Sequence, residues 1–122
     1  MTDFIPTLYI KEKCPFCLKV RIALLEAGLL DKVTVREFAP GTEEETAIKD
    51  ALAPHLDKVS FPAARVEPDE YIADSDAIIA DLLGKAGVDR ATLPVLDAYV
   101  TGAFSGLMEL YRENIALKSR QS

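Results

Sequence analysis

The fold is decided by a stretch near the start of the chain, residues 7–17, which reads TLYIKEKCPFC. Its first four residues, Thr7–Ile10, are typical of a short β-strand that ends at a charged run. Cys14 and Pro15 follow at the N-cap and first position of a helix, and proline at that first position is preorganised for helix formation. The helix is predicted to stop at Gly28. The pattern therefore places a pair of cysteines at a helix N-terminus directly after a strand.

The rest of the chain predicts a mixed sheet with helices on its faces. The predicted elements are a helix at 16–27, a strand at 33–38, a helix at 43–52 behind the N-cap Thr42, strands at 63–67 and 71–73, and a helix that opens at Asp74-Ser75-Asp76 and closes near Gly84 or Gly87. The order βαβαββα is complete by about residue 88, and it implies an α/β fold. We therefore expect a domain over residues 1–88 and a helical extension over residues 89–122.

The C-terminal extension is predicted to be one long helix, from Thr92 to about Lys118. Its apolar residues recur at spacings of three and four and form one stripe. The stripe consists of Leu96, Val100, Ala103, Leu107, Tyr111 and Ile115. We expect it to pack on the chain's own domain, which favours a monomer, with a homodimer through this helix as the alternative. Gly102 and Gly106 weaken a helix, so a close packing partner is expected beside them.

Composition and charge exclude several classes of protein. The chain has 122 residues, 49% of them apolar, and a net charge of −6, so it can bury a core without a disulfide or a structural metal. No apolar run approaches the roughly 20 residues that cross a bilayer, and the first residues do not resemble a signal peptide. We expect a cytoplasmic protein that binds neither membranes nor, because it is acidic, nucleic acid.

Both cysteines lie in a locally positive part of the chain. Residues 1–36 carry six basic and four acidic side chains, whereas the remaining residues carry eight basic and 16 acidic ones. Four of the basic residues lie within seven positions of a cysteine: Lys11, Lys13, Lys19 and Arg21. We expect these four to add positive potential near the sulfur atoms.

Cys14 and Cys17 form a C-x-x-C motif suited to disulfide chemistry. Two residues three apart in a first helical turn have Cα atoms within the roughly 4.4–6.8 Å that a disulfide accepts. The free N–H groups at a helix N-terminus stabilise a thiolate, so Cys14 is expected to be the more exposed sulfur, to have the lower pKa and to act as the nucleophile. Cys17 is better placed to resolve a mixed disulfide. A zinc site completed by His55 and a pair of inert core cysteines are the alternatives; without a second C-x-x-C, no metal is expected.

The cysteine motif and its setting resemble the glutaredoxin active site. That family has an aromatic residue before the catalytic loop, a lysine three residues before the first cysteine, and Cys-Pro-Tyr/Phe-Cys. Downstream, Ser60-Phe61-Pro62 resembles the family's cis-proline segment. Asp74-Ser75-Asp76-Ala77-Ile78 resembles the signature that opens the last core helix in glutathione S-transferase N-terminal domains. The resemblance covers about residues 6–88 and implies a thioredoxin-like fold of the glutaredoxin and transferase N-terminal type.

This resemblance implies a glutathione site around Cys14. The residues it assigns to glutathione are Lys11, Phe16, Phe61, Pro62, Asp74, Ser75 and Asp76. Lys11 pairs with the glycyl carboxylate, Phe61 with the cysteinyl unit, and the amides of Ser75 and Asp76 with the γ-glutamyl carboxylate. Each also has a purely structural alternative, such as an N-cap for Asp74, a trans turn for Pro62 and a solvated charge for Lys11.

The implied function is glutathione-dependent thiol–disulfide exchange, with glutathione as co-substrate and with glutathionylated or disulfide-bonded proteins as partners. Two alternatives remain at this point. One is a glutathione S-transferase-like enzyme that uses Cys14 alone. The other is a non-catalytic protein that carries a glutathione-ligated [2Fe–2S] cluster between two subunits.

Overall fold

A four-stranded mixed sheet forms the centre of the chain. The structure is a computed structural model that describes residues 4–121, with side chains described for residues 4–116. The strands are β1 (Thr7–Lys11), β2 (Thr34–Phe38), β3 (Ala63–Glu67) and β4 (Glu70–Ile72), in the order β2-β1-β3-β4. β1 runs parallel to β2 and antiparallel to β3, and β3 and β4 form the predicted hairpin.

Helices cover both faces of the sheet because β1 alternates between them. Helices α1 (Pro15–Glu26) and α3 (Ser75–Ala86) pack with Leu8 and Ile10 in the larger core cluster. Tyr9 points to the opposite face, where it joins Phe38 and two residues of α2 (Glu43–Leu52). This period-2 alternation is the pattern of a strand that is buried on both faces.

Local sequence signals fix the helix ends. The hydroxyl of Thr42 accepts a hydrogen bond from the amide of Glu45 at 3.4 Å and caps α2, as the capping-box pattern predicts. Asp74 caps α3 by accepting from the amide of Ala77 at 3.2 Å. Gly87 ends α3 with a φ of 70°, a left-handed conformation that glycine adopts without a steric penalty.

The C-terminal extension is helical but not a single regular α-helix. After a short 3₁₀ turn, it consists of α4 (Pro94–Tyr99), a π-helical segment (Val100–Phe104) and α5 (Ser105–Gln121). The carboxylate of Glu26, at the end of α1, accepts hydrogen bonds from the amides of Val95 and Leu96, both at 2.8 Å. A side chain 70 positions away thus caps α4, and no local pattern in the sequence could indicate it.

The apolar stripe of the extension is divided between the core and solvent. Leu96 is buried with the α1–α3 cluster, and Val100 packs against it. Along α5 the stripe is exposed, at Leu107, Tyr111 and Ile115. The prediction that a close packing partner lies beside Gly102 and Gly106 was wrong, because a Cβ added at either glycine would meet no neighbouring atom within 4 Å.

The fold class is confirmed. The described chain has the βαβαββα order of a thioredoxin-like domain, followed by the additional C-terminal helix. No helix in the described residues combines the length and the apolar character that crossing a membrane requires. The proposed domain limits of 1–88 and 89–122 stay a prediction.

Candidate active site

Cys14 lies at the N-cap of α1, where the chain leaves β1. Its Sγ accepts a hydrogen bond from the amide of Cys17 at 3.4 Å, so the free end of the helix is directed at this sulfur. The same sulfur lies 4.0 Å from the carbonyl oxygen of Phe61. Lys13, just before it, has a φ of 59°, which is unusual for a residue with a side chain and is typical of functional turns.

Cys17 lies in a different environment, although it is only three residues away. Its side chain is 2% exposed, whereas Cys14 is half-buried. Burial raises the pKa of the Cys17 thiol to about 12, against the opposing effect of the hydrogen bond that the Lys11 amide donates to its Sγ at 3.4 Å. Cys17 therefore carries its proton at neutral pH, and Cys14 is the more exposed sulfur, as expected.

The segment predicted to resemble a cis-proline loop lies beside Cys14. The Phe61–Pro62 peptide bond is cis, and the ring of Phe61 packs against Phe38 with centroids 4.7 Å apart. Ser60 donates a hydrogen bond from its hydroxyl to the carbonyl of Ala73 at 3.3 Å, which ties the loop to the residues before α3. The structure thus brings Phe61 to the nucleophile, and it places Asp74 and Ser75 at the start of α3.

Lys19 does not contribute to an exposed positive patch, which corrects the sequence expectation. Its side chain is buried, with Nζ 3.2 Å from a carboxylate oxygen of Asp76. The same oxygen lies 3.0 Å from Arg90. Arg90, followed by Lys19, holds the pKa of the Asp76 carboxyl below its usual range. The Asp76 carboxylate is engaged within the protein, so a glutathione contact through its backbone amide stays a prediction.

An aromatic cluster joins the extension to the start of α1. Phe16 is 40% exposed, and its ring lies edge-to-face with Phe104 at 5.1 Å. The Lys19 ammonium lies 4.7 Å from the centre of the Phe104 ring and 5.6 Å from that of Phe16. Tyr99 donates a hydrogen bond to the carbonyl of Pro15 at 2.8 Å. The glutathione contact that the resemblance assigns to Phe16 stays a prediction, since the observed partners of its ring are another aromatic ring and a cation.

The π-helical segment explains how two aromatic residues five positions apart reach the same surface. In a π-helix the hydrogen bonds join residues i and i+5, so Tyr99 and Phe104 lie on one side, with centroids 5.7 Å apart. Neither residue was predicted to lie near the site, because in a regular α-helix two residues five positions apart lie on different faces. The available signal was an aromatic pair at this spacing with Gly102 between them.

A cavity of about 340 Å³ opens beside Cys14, between β1, α1 and the extension. Most of its lining is apolar, and the charged groups belong to β1, the loop that follows it, α1 and β2. The lining residues are Ile10, Lys11, Lys13, Cys14, Pro15, Cys17, Leu18, Arg21, Glu37, Tyr99, Ala103 and Leu107. Lys11 therefore lies at the cavity, while Phe61, Pro62 and the start of α3 are not part of its wall.

The described residues do not form the alternative zinc site, in which His55 would join the two cysteines. His55 is exposed and stacks on Tyr71, with ring centroids 4.1 Å apart. Among the described residues, no three His, Cys, Asp or Glu side chains are grouped so that they could hold a metal ion.

One protein family and two solved structures are similar to this chain. Residues 8–90 match the family described as glutathione S-transferase, N-terminal domain. The crystal structure of glutathione transferase Omega 3C from Trametes versicolor is similar, with a TM-score of 0.50 and 20% identity over 70% of this chain and 34% of that chain. For glutathione transferase Omega 2C from the same organism, the TM-score is 0.45 and the identity 28%, over 66% of this chain and 38% of that chain.

The chain spans less than two fifths of the length of either transferase. No curated protein sequence matches it. The family match covers more than half of the chain and confirms the expected relation to transferase N-terminal domains. The chain belongs to the glutathione S-transferase N-terminal-domain family, within the thioredoxin-like superfamily.

Proposed function

We propose that the protein is a glutathione-dependent thiol–disulfide oxidoreductase with Cys14 as its nucleophile. The observation that carries this proposal is the inequality of the two cysteines: one sulfur accepts a hydrogen bond from an amide at a helix N-terminus, and the other is buried with a pKa of about 12. A transferase that needs one cysteine gains nothing from a second at this spacing. A pair with one attacking and one protected sulfur suits disulfide exchange.

The proposed cycle has two steps. The Cys14 thiolate attacks the glutathione sulfur of a mixed disulfide GS–SR; the S–S bond breaks, and the leaving RS⁻ takes a proton from solvent. The thiolate of a second glutathione then attacks the glutathione sulfur on Cys14, so glutathione disulfide leaves and the Cys14 thiolate returns. The sum is GS–SR + GSH → GSSG + RSH. The helix N-terminus stabilises the same thiolate at the start and at the end of the cycle.

Cys17 is proposed to act only where a second thiol is needed. It would attack the Cys14 sulfur of a protein mixed disulfide, release the substrate thiol and form a Cys14–Cys17 disulfide. With a pKa of about 12, roughly one Cys17 in 10⁵ is a thiolate at pH 7 in the reduced protein. Glutathione therefore completes most turnovers, and Cys17 resolves those that glutathione reaches slowly.

The proposed glutathione site extends from Cys14 toward the start of α3. Phe61, next to the nucleophile, contacts the cysteinyl unit through its backbone, and Pro62 fixes that loop. The amides of Ser75 and Asp76, at the N-terminus of α3, take the γ-glutamyl carboxylate. Lys11 pairs with the glycyl carboxylate. Phe16 and Asp74 complete the proposed set as neighbours of these contacts.

Glutathionylated and disulfide-bonded proteins are the proposed partners, in the cytoplasm, where glutathione keeps thiols reduced. The protein is proposed to act as a monomer. Light scattering that gives the chain mass of 13.4 kDa would support this state. Twice that mass would instead indicate a dimer through the exposed face of α5.

Glutathione-coupled reduction of the mixed disulfide of glutathione and 2-mercaptoethanol tests the proposal. NADPH consumption by added glutathione reductase reports each GSSG formed. We expect wild-type activity, loss of at least about 100-fold in Cys14→Ser, and a Cys17→Ser variant that retains most of the rate. Activity that survives Cys14→Ser, or no turnover by the folded wild type, would overturn the assignment.

A transferase reaction is the second candidate, favoured by the family match and by the cavity beside Cys14. It would join glutathione to an electrophile through a thioether, without oxidation of any thiol. Mass spectrometry of the product after incubation with glutathione and 1-chloro-2,4-dinitrobenzene distinguishes the two reactions. A thioether formed faster than the mixed disulfide is reduced would favour the transferase.

A further inference from the structure

The cavity beside Cys14 has the size and the walls of a small-molecule site. Its volume of about 340 Å³ lies within the roughly 300–1,000 Å³ typical of such sites. Leu18 on α1 and Ala103 and Leu107 on the extension provide an apolar wall that is open to solvent. Cys14 opens into the same space, so a group held there would be attached to, or next to, the reacting sulfur.

The charge of the cavity is opposite to the charge of the chain. Lys11, Lys13 and Arg21 line it together with Glu37, a surplus of two positive charges in a chain whose net charge is −6. Arg21 engages Glu37 with one guanidinium nitrogen, at 3.1 Å. Lys13 is exposed, so it lies at the mouth, and it has no ion-pair partner among the described residues.

We propose that the non-glutathione half of the mixed disulfide is an apolar thiol that carries a carboxylate, and that Lys13 selects for this carboxylate at the mouth of the cavity. The inference rests on the proposed function and names its substrate class. The apolar body contacts Leu18 and Leu107, and the carboxylate reaches Lys13 at the mouth. Lys11 remains with the glycyl carboxylate of glutathione, so each end of the substrate has its own cation.

The same arrangement assists the first chemical step. When Cys14 attacks the glutathione sulfur, the bond to the second sulfur breaks and the leaving thiolate is formed inside the cavity. That thiolate takes its proton from solvent through the mouth, and the electron pair of the broken bond leaves with it. Positive groups near the developing charge favour its formation.

Two disulfide substrates of nearly the same shape, one with a carboxylate and one with a neutral amide, test whether the cavity prefers the charged group. They are the glutathione mixed disulfides of 4-(mercaptomethyl)benzoate and 4-(mercaptomethyl)benzamide, and 2-mercaptoethanol provides a small neutral reference. The methylene group keeps the leaving thiols similar in reactivity. Each enzymatic kcat/KM is divided by the rate constant with which dithiothreitol, a neutral reductant, cleaves the same disulfide.

For the wild type we expect a benzoate-to-benzamide ratio of about five at an ionic strength of about 20 mM, falling toward one in about 0.5 M salt. Lys13→Gln should lower the ratio to about two or less. Lys32→Gln makes the same change of charge beyond the far end of α1, and it should leave the ratio at about five. Ala103→Phe should lower the rate with the benzoate disulfide at least about tenfold more than the rate with the 2-mercaptoethanol disulfide, with folding checked by the melting temperature.

The outcomes distinguish the inference from the proposed function. Turnover of the 2-mercaptoethanol disulfide with a wild-type ratio near one would overturn the substrate class and leave the oxidoreductase standing. If the wild-type benzoate-to-benzamide ratio is about five but Lys13→Gln and Lys32→Gln change it equally, the proposed role of Lys13 at the mouth of the cavity is overturned. If Ala103→Phe raises the KM for glutathione and slows all three disulfides alike, the cavity holds glutathione. Absence of turnover with all three would refute both proposals.

Discussion

Removing the carboxylate of Asp76 should destabilise the protein more than removing the ammonium of Lys19, although both changes break the same ion pair. The Lys19 side chain is 5% exposed and that of Asp76 is 61% exposed. In Lys19→Met, Asp76 remains in water and keeps Arg90 at 3.0 Å. In Asp76→Asn, a buried ammonium loses its carboxylate and keeps only two aromatic faces.

The magnitudes follow from this difference in burial. Removal of one partner of a fully buried pair costs about 3–5 kcal/mol. The Asp76 side chain is 61% exposed, so water already screens this pair in part, and Asp76→Asn should cost about 2–3 kcal/mol. Lys19→Met leaves a solvated carboxylate and puts a flexible apolar chain between two rings, so its cost should stay below about 1 kcal/mol. The double variant should be more stable than Asp76→Asn alone by about 1–2 kcal/mol.

Urea and thermal unfolding followed by circular dichroism test this, since the chain has no tryptophan. For a chain of this size, 2–3 kcal/mol corresponds to a fall in the melting temperature of about 8–12 °C. Glu44→Gln, which breaks the exposed pair with Arg36, is the matched control and should change stability by less than about 0.5 kcal/mol. Equal costs for the two single variants, or additive costs in the double variant, would refute the reasoning.

Three further predictions concern pH, cysteine accessibility and the extension. The pKa of Asp76 is lowered in the folded state, so its carboxylate stabilises the fold fully above the unfolded pKa of about 3.9. This contribution to the free energy of unfolding is lost as pH falls through the folded pKa. The urea midpoints of wild type and Asp76→Asn should therefore converge between about pH 5 and pH 2. Iodoacetamide at pH 8 should alkylate Cys14 of the native protein at least about 100-fold faster than Cys17, as read by peptide mass spectrometry; comparable rates would contradict the burial of Cys17. Tyr99→Phe, which removes the hydrogen bond to the Pro15 carbonyl, should cost about 1 kcal/mol, or about 4 °C in melting temperature, and an unchanged melting temperature would show that this bond does not hold the extension.

The parts of the fold that depend on neighbours in sequence were predictable. Thr42 and Glu45 lie three residues apart, and Asp74 directly precedes its helix, so each helix start follows from a short pattern. Cys14 and Pro15 gave the N-terminus of α1 for the same reason. In each case the side chain that accepts a hydrogen bond from a free helix amide lies within one turn of that amide.

The remaining features depend on pairs that are distant in sequence. Lys19 was expected to add positive potential near the sulfur atoms, because nothing near it in the chain indicates that Asp76, 57 positions later, will neutralise it. Glu26 caps α4 in the structure, but no sequence pattern around Glu26 indicates this role. The shift into a π-helical segment moved Phe104 onto the surface of α1, which a regular period of 3.6 residues would not have done.

The contacts of Glu26 and Tyr99 have a consequence for where the cooperative folding unit ends. The extension is fastened to both ends of α1, through Glu26 at one end and the Pro15 carbonyl at the other. Leu96 belongs to the same buried cluster as α1 and α3. We therefore expect amide hydrogen exchange to protect the chain as one block as far as about residue 104, while α5 exchanges on its own at a lower free energy. A chain truncated after α3 would then expose the core residues that Leu96 covers. A chain truncated after Phe104 would lose only α5, and we expect the rest of the molecule to fold without it.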